Sequence, residues 1–284
     1  MRKNIFQIQK NRFNLTKEIK RIDSLLSQEA IYIDKFGANH TIFEFVDDGF
    51  FIKWKQRYSC INCKDMMEVL KIDKISKRYK VGIIDALIYL EFLVNIIKIF
   101  EKGIKKFPFP SFKLTVSEEY EQLKNNILSL IEHLNMEVKY FCKEEKAIIV
   151  EKNKAATAVA EIVDDNLAHK VIEYNHYLLK RNISKKKHIL NEIHSELEPK
   201  RQILENLNKI LSDNVFYMFN NINIRHNNRE KGKNYKEFVS KMSDKELEGW
   251  YDETYQLALL AILLLDNIPR TEAIKKLKLK IENK

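Results

Sequence analysis

Ser243-Asp244-Lys245-Glu246-Leu247-Glu248-Gly249-Trp250-Tyr251-Asp252-Glu253-Thr254-Tyr255 opens the stretch that decides the fold. Ser243 with Glu246 three positions on is a capping box: the hydroxyl takes a first-turn N–H, and the carboxylate reaches back to the N–H of the cap. Leu247, Trp250, Tyr251, Tyr255, Leu257, Leu259, Leu260, Ile262 and Leu263 then carry a long helix. It is expected to stop at Asn267-Ile268-Pro269, and Thr271 begins a short basic tail helix.

The segments before it read the same way. Val215-Phe216-Tyr217-Met218-Phe219 lies in an expected helix over 214–224. A helix starting at Asn182 or Ser184 meets Pro199, which kinks or divides it before 201–211. Residues 155–180 read as one helix with Leu167, Val171, Tyr174 and Leu178 on its apolar stripe. The period changes only once with conviction. Val138-Lys139-Tyr140-Phe141-Cys142 and Ala147-Ile148-Ile149-Val150 flank Lys143-Glu144-Glu145-Lys146, the strongest hairpin signal in the chain.

Further back, Ser117 starts a helix with Glu118 and Glu119 in its first turn, where negative charge suits the dipole. Residues 81–102 form the most apolar helix, closed by Gly103, with Pro108 and Pro110 marking 105–113 as a linker. That helix is broken by Asp85, Glu91, Asn95 and Lys98, so it reads as a core helix and not as a membrane span. Asn62 caps a short helix. Residues 31–54 fit either a hairpin around Asp47-Asp48-Gly49 or a helix, and helix is favoured. Residues 1–30 read as an amphipathic helix with Phe13, Leu15, Ile19, Ile22, Leu25 and Leu26 on one face. Six Gly and four Pro in 284 residues agree with long helices rather than a many-turned β fold. The expected fold is therefore mainly α, a helical bundle with one β-hairpin near residues 137–151. Residues 1–115 form a helical accessory region and residues 116–284 the bundle.

The net charge of +10 is compatible with an anionic partner such as nucleic acid, and equally with a diffuse lysine excess that only keeps the chain soluble. Three cysteines and an N-terminus without a signal-length apolar core point to a reducing cytoplasm, with no membrane association. No GxxxxGK[ST], GxGxxG or GxSxG pattern occurs, so a nucleotide-driven motor or an ordinary serine hydrolase is not expected, and neither is a cofactor. Cys60-Ile61-Asn62-Cys63 lacks a second cysteine pair and reads as structural thiols. Asp165, His169, Glu173 and His176 share one expected helix face; a metal or a general base would suit them, and so would plain solvation. No metal site is expected.

The turn before Ser243 is the most polar feature in an apolar setting. Asn220-Asn221-Ile222-Asn223-Ile224-Arg225-His226-Asn227-Asn228-Arg229 holds five Asn, two Arg and one His in ten residues. Arg225 supplies a planar fork for a phosphate, and His226 a proton carrier at neutral pH. Together they suit RNA cleavage, with His226 as acid or base, Arg225 on the phosphate charge, and Asn227 or Asn221 orienting the groups. The alternative is that Asn and His cap a helix end.

Phe216-Tyr217-Met218-Phe219-Asn220-Asn221-Ile222-Asn223-Ile224-Arg225-His226-Asn227-Asn228, followed by the helix after Ser243, resembles the HEPN superfamily of helical-bundle proteins from toxin–antitoxin, abortive-infection and CRISPR systems. The resemblance covers residues 116–284 and implies an RNA-directed defence or toxin protein, a metal-independent endoribonuclease leaving a cyclic phosphate. It also implies a homodimer, RNA as partner, and an antitoxin or other defence-system protein as a second one. The family places Arg several residues before His, whereas here Arg225 directly precedes His226. Either Arg225 takes the arginine's place from a shifted position, or the domain is a non-catalytic RNA- or protein-binding module.

Overall fold

A computed structural model describes residues 13–33, 38–106 and 114–282, and the protein is mainly α-helical. The chain divides into two compact units, Met1–Ile149 and Val150–Lys284. The division falls inside the second strand of the hairpin.

The first unit contains α1 (Leu15–Leu26), β1 (Ile31–Ile33), β2 (Ala38–His40), α2 (Ile42–Asp47), α3 (Cys63–Val69), α4 (Ile83–Lys105), β3 (Leu114–Val116), α5 (Glu118–His133) and β4 (Met136–Phe141). Its axis is α4, buried on most of its circumference from Ala86 to Gly103. A Cβ at Gly103 would lie 3.0 Å from Phe45 and 3.2 Å from Phe50, so the glycine permits close approach of two aromatic rings. Asn95 is the polar exception in α4. Its Nδ2 donates to the Ala147 carbonyl and its Oδ1 accepts from the Ala147 N–H, each at 2.9 Å. One buried amide thus pairs a strand residue from the side, as another strand would.

Helix α5 belongs to this unit because its apolar face closes the same core. Tyr120 packs against Phe100 with ring centroids 4.9 Å apart, and Lys124 pairs with Glu101 at 2.5 Å. Residues 31–54 are not one helix. Strand β1 pairs antiparallel with both β2 and β3, Ile31 facing His40 on one side and Val116 on the other. Only Ile42–Asp47 is helical, started by a Thr41/Glu44 capping box. Residues 1–12 of the expected first helix and 107–113 of the expected linker lie outside the described residues.

Strand β5 (Lys146–Glu151) completes the hairpin with β4 and carries the chain into the second unit. That unit holds α6 (Lys154–Ala160), α7 (Asp165–Glu173), α8 (Ile183–Leu197), α9 (Arg201–Leu207), α10 (Lys209–Asn221), α11 (Glu237–Ser240), α12 (Asp244–Asp266) and α13 (Ile268–Glu282). The single helix expected over 155–180 is two, because Asp164 accepts from the N–H groups of Asn166 and Leu167 at 2.9 and 3.2 Å and starts a new one. Pro199 divides α8 from α9 through one 3-10 turn, Glu198–Lys200. Helix α10 starts earlier than expected, capped by Asn208, and ends at Asn221. The Ser243/Glu246 capping box is formed, and α12 runs to Asp266. Proline at position 269 sits in the first turn of α13, which it can begin but could not interrupt.

Helices α8, α10 and α12 meet in one core built on Ile189, Ile193, Phe216, Phe219, Tyr251 and Tyr255. The rotation of α8 is set by a buried cation. The Lys186 ammonium, its side chain 8% exposed, lies 2.8 Å from Glu248 and 2.7 Å from Asp252 on α12. Tyr174 donates to the same Asp252 oxygen at 2.9 Å. A polar cavity of about 410 Å³ opens beside this network, lined among others by Asn175, His176 and Lys245. No helix among the described residues is long and apolar enough to cross a membrane.

Candidate functional site

The polar turn begins where α10 loses its helical hydrogen bonds. Asn223 takes a left-handed backbone, φ 63°, which asparagine tolerates better than most residues. The N–H of Arg225 then returns to the Phe219 carbonyl at 2.9 Å. Ile222 and Ile224 are buried on either side of Asn223, so the apolar residues pin the turn while the polar ones alternate outward.

Asn228 is the internal brace. Only 1% of it is exposed. Its Oδ1 accepts from the Asn223 N–H at 2.7 Å, and its Nδ2 donates to the Asn234 carbonyl at 2.7 Å. Asn223 Oδ1 answers by accepting from the Asn228 N–H at 3.2 Å. From α12, the Tyr251 hydroxyl donates to the Asn223 carbonyl at 3.1 Å. Asn223 and Asn228 thus brace the turn through their own amides.

The two outer asparagines proposed from sequence are held by their own neighbourhood. Asn227 Oδ1 accepts from the N–H groups of Arg229 and Glu230, and its Nδ2 donates to Glu230 at 2.7 Å. Asn221 donates to the Tyr217 carbonyl one turn back at 2.9 Å. Neither amide has a hydrogen bond to Arg225 or His226 among those described.

Arg225 instead meets the extension of α8, and the charge of His226 is felt by His194 on that helix. Lys187, Asn191, His194 and Glu198 lie at successive turns on one face of α8 and its extension, and that face looks at the polar turn. Asn191 donates to the Ile224 carbonyl at 3.0 Å, and Lys187 Nζ lies 3.5 Å from Asn223 Oδ1. Glu198 Oε1 is 3.7 Å from Arg225 Nη1, while Glu198 Oε2 is 2.9 Å from His194 Nε2. Arg225 Nη1 also donates to Asn220 Oδ1 at 3.4 Å. The His194 ring stands edge-on to Phe219 and Phe216, with centroids 5.0 and 6.1 Å away.

Burial pushes the His194 imidazole below its ordinary pKa; Glu198 opposes that shift, and the charges of Arg225 and His226 add to it. At neutral pH His194 is therefore a neutral ring beside a carboxylate and a guanidinium. Accessibility sorts the group: the side chains of Arg225 and Glu198 are 41% and 37% exposed, that of His194 only 7%. The site presents a cation and an anion to solvent over a buried imidazole, with His226 half-buried at the edge. It can clamp a phosphate through Arg225 and exchange protons through His226 and Glu198.

His194 and Glu198 were not singled out from sequence. Their signal was there: a polar stripe at i, i+4, i+7 and i+11 running down a helix whose other face is apolar.

The other sequence candidates stay apart. The stripe from Asp165 to His176 breaks because α7 ends at Glu173, whose carboxylate pairs with Lys185 at 2.9 Å and is held below the usual range by it against the cost of burial. Cys60 and Cys63 are both buried free thiols, and burial pushes the Cys63 thiol far up. Among the described residues no group of three or more His, Cys, Asp or Glu is arranged to hold a metal ion.

No family model, curated protein or solved structure matches the chain.

Proposed function

We propose that the second unit is an RNA-directed endoribonuclease of HEPN type, acting without a metal as a defence or toxin protein. The observation that carries it is the approach of Arg225 to Glu198 at the surface over a buried His194, with His226 next in the chain and its charge felt by that imidazole. Arg225 neutralises the charge that grows on phosphorus as the 2′-oxygen attacks. His226 serves proton transfer at the leaving or attacking oxygen. The chain's charge of +10 favours encounter with a polyanion. A homodimer bringing two such turns together, and an antitoxin or defence-system protein as partner, belong to the same proposal.

One observation favours a second reading, a HEPN-like module that binds RNA or protein without cutting. Asn227 and Asn228 hydrogen-bond within the turn and Asn221 back into α10, as a structural cap requires.

Incubating single-stranded RNA with the wild-type chain and with His226→Ala separates the two. For the nuclease, His226→Ala stops cleavage while RNA affinity, steeply salt-dependent, survives. Affinity without cleavage in the wild type gives the binding module, and a flat salt response speaks against phosphate contact altogether.

A further inference from the structure

We propose that Glu198 is the proton acceptor of this site and that His194 is its positioning residue, an assignment that rests on the nuclease reading. Cleavage through the 2′-hydroxyl needs one group to take a proton and another to give one. Arg225 cannot exchange protons at ordinary pH. His194 is enclosed by Phe216 and Phe219 and does not reach a strand lying on the surface. His226 and Glu198 remain, and each is accessible.

The two oxygens of Glu198 have separate surroundings. Oε2 is buried against His194 Nε2 at 2.9 Å, yet neither atom makes a well-aligned hydrogen bond. Oε1 faces Arg225 at 3.7 Å, beyond hydrogen-bond distance, and so is not locked by it. The buried amides of Asn228 and Asn95, by contrast, are fully paired. An ill-satisfied imidazole–carboxylate pair beside an accessible arginine is the arrangement expected where function, not stability, sets the geometry. Because burial keeps His194 neutral, it orients the carboxylate without protonating it.

The step balances as follows. The 2′-hydroxyl proton passes to Glu198 Oε1 as the 2′-oxygen bonds to phosphorus. The bond from phosphorus to the 5′-oxygen breaks, and that oxygen takes a proton from protonated His226. The products are a 2′,3′-cyclic phosphate and a 5′-hydroxyl, and solvent returns both side chains to their starting states.

The test uses the full chain, a labelled single-stranded RNA and buffered EDTA, with kcat and KM measured across pH. Glu198→Gln is expected to lower kcat by about 100-fold or more, with KM little changed, and to remove the acid limb of the profile. His194→Gln is expected to move that limb, which a purely structural role would not do. Glu196→Gln, a carboxylate on the same helix that pairs with Lys200, keeps wild-type cleavage. If Glu198→Gln does not fold, Glu198→Asp decides: a rate reduced about 10- to 100-fold with the acid limb kept supports the assignment. A Glu198 variant that cleaves at the wild-type rate with the wild-type profile overturns the assignment alone. A wild type that cleaves no RNA overturns the nuclease reading and this assignment with it.

Discussion

His194 Nε2 lies 2.9 Å from Glu198 Oε2, and the other oxygen of that carboxylate faces Arg225. The first contact is local, one turn along α8 and its extension; the second joins that extension to the turn after α10, two segments the chain brings together only through tertiary packing. The carboxylate gives a polar neighbour to a buried imidazole that otherwise stands edge-on to two phenylalanine rings of α10.

The pH dependence of stability follows from that imidazole. Its folded pKa lies below the ordinary 6.5, so between the two values the unfolded chain binds the proton and the folded chain does not. Stability is full above the unfolded value and falls as pH drops through the window below it. Thermal melts from pH 7 to pH 5 should show a falling Tm, and His194→Gln should make that slope shallower. An unchanged slope in the variant would place the titration elsewhere.

Asn228→Ala removes both side-chain bonds that close the polar turn. Leaving the Asn223 N–H and the Asn234 carbonyl without partners should cost about 1–3 kcal/mol, read from urea melts. RNA cleavage should fall as well, because Arg225 follows directly from the braced residues. A variant with wild-type stability would mean that water replaces the amide without loss.

The legible parts of the molecule were those written in local chemistry. Ser243 with Glu246 announced α12, Ser117 announced α5, and the alternation on either side of Lys143-Glu144-Glu145-Lys146 announced the hairpin. The three-stranded sheet was not legible, since three-residue strands carry too little alternation and β3 comes from far along the chain. The break at Asp164 was hidden because apolar spacing continues across it. For the site, Arg225 and His226 stood out by composition, whereas His194 and Glu198 looked like ordinary helix residues until α10 packed against them. Distance along the sequence, not ambiguity of residue type, hid them.

Lys186→Met tests the rotation of α8. The ammonium neutralises Glu248 and Asp252 from a nearly closed position, but Asp252 itself is 49% exposed and regains water when the cation is lost. The destabilisation should therefore fall below the roughly 3–5 kcal/mol of a fully enclosed pair. Cleavage should drop more than stability, because the same helix carries Asn191 and His194 to the turn. Equal activity at reduced Tm would show that α8 keeps its orientation by apolar packing alone.

Asn95→Leu keeps the branched side-chain shape in the first unit but unpairs both backbone groups of Ala147. Denaturant melts should show a loss of about 1–3 kcal/mol. A neutral effect would mean that β5 satisfies those groups in another way.

The most direct measurement of the central claim is end-group analysis of RNA incubated with wild type and with Arg225→Ala in the presence of EDTA. Wild type is predicted to give 2′,3′-cyclic phosphate and 5′-hydroxyl ends, and Arg225→Ala to cleave at least about 100-fold more slowly at unchanged Tm. Wild-type cleavage that persists undiminished in Arg225→Ala, or that appears only with a divalent metal, would contradict it.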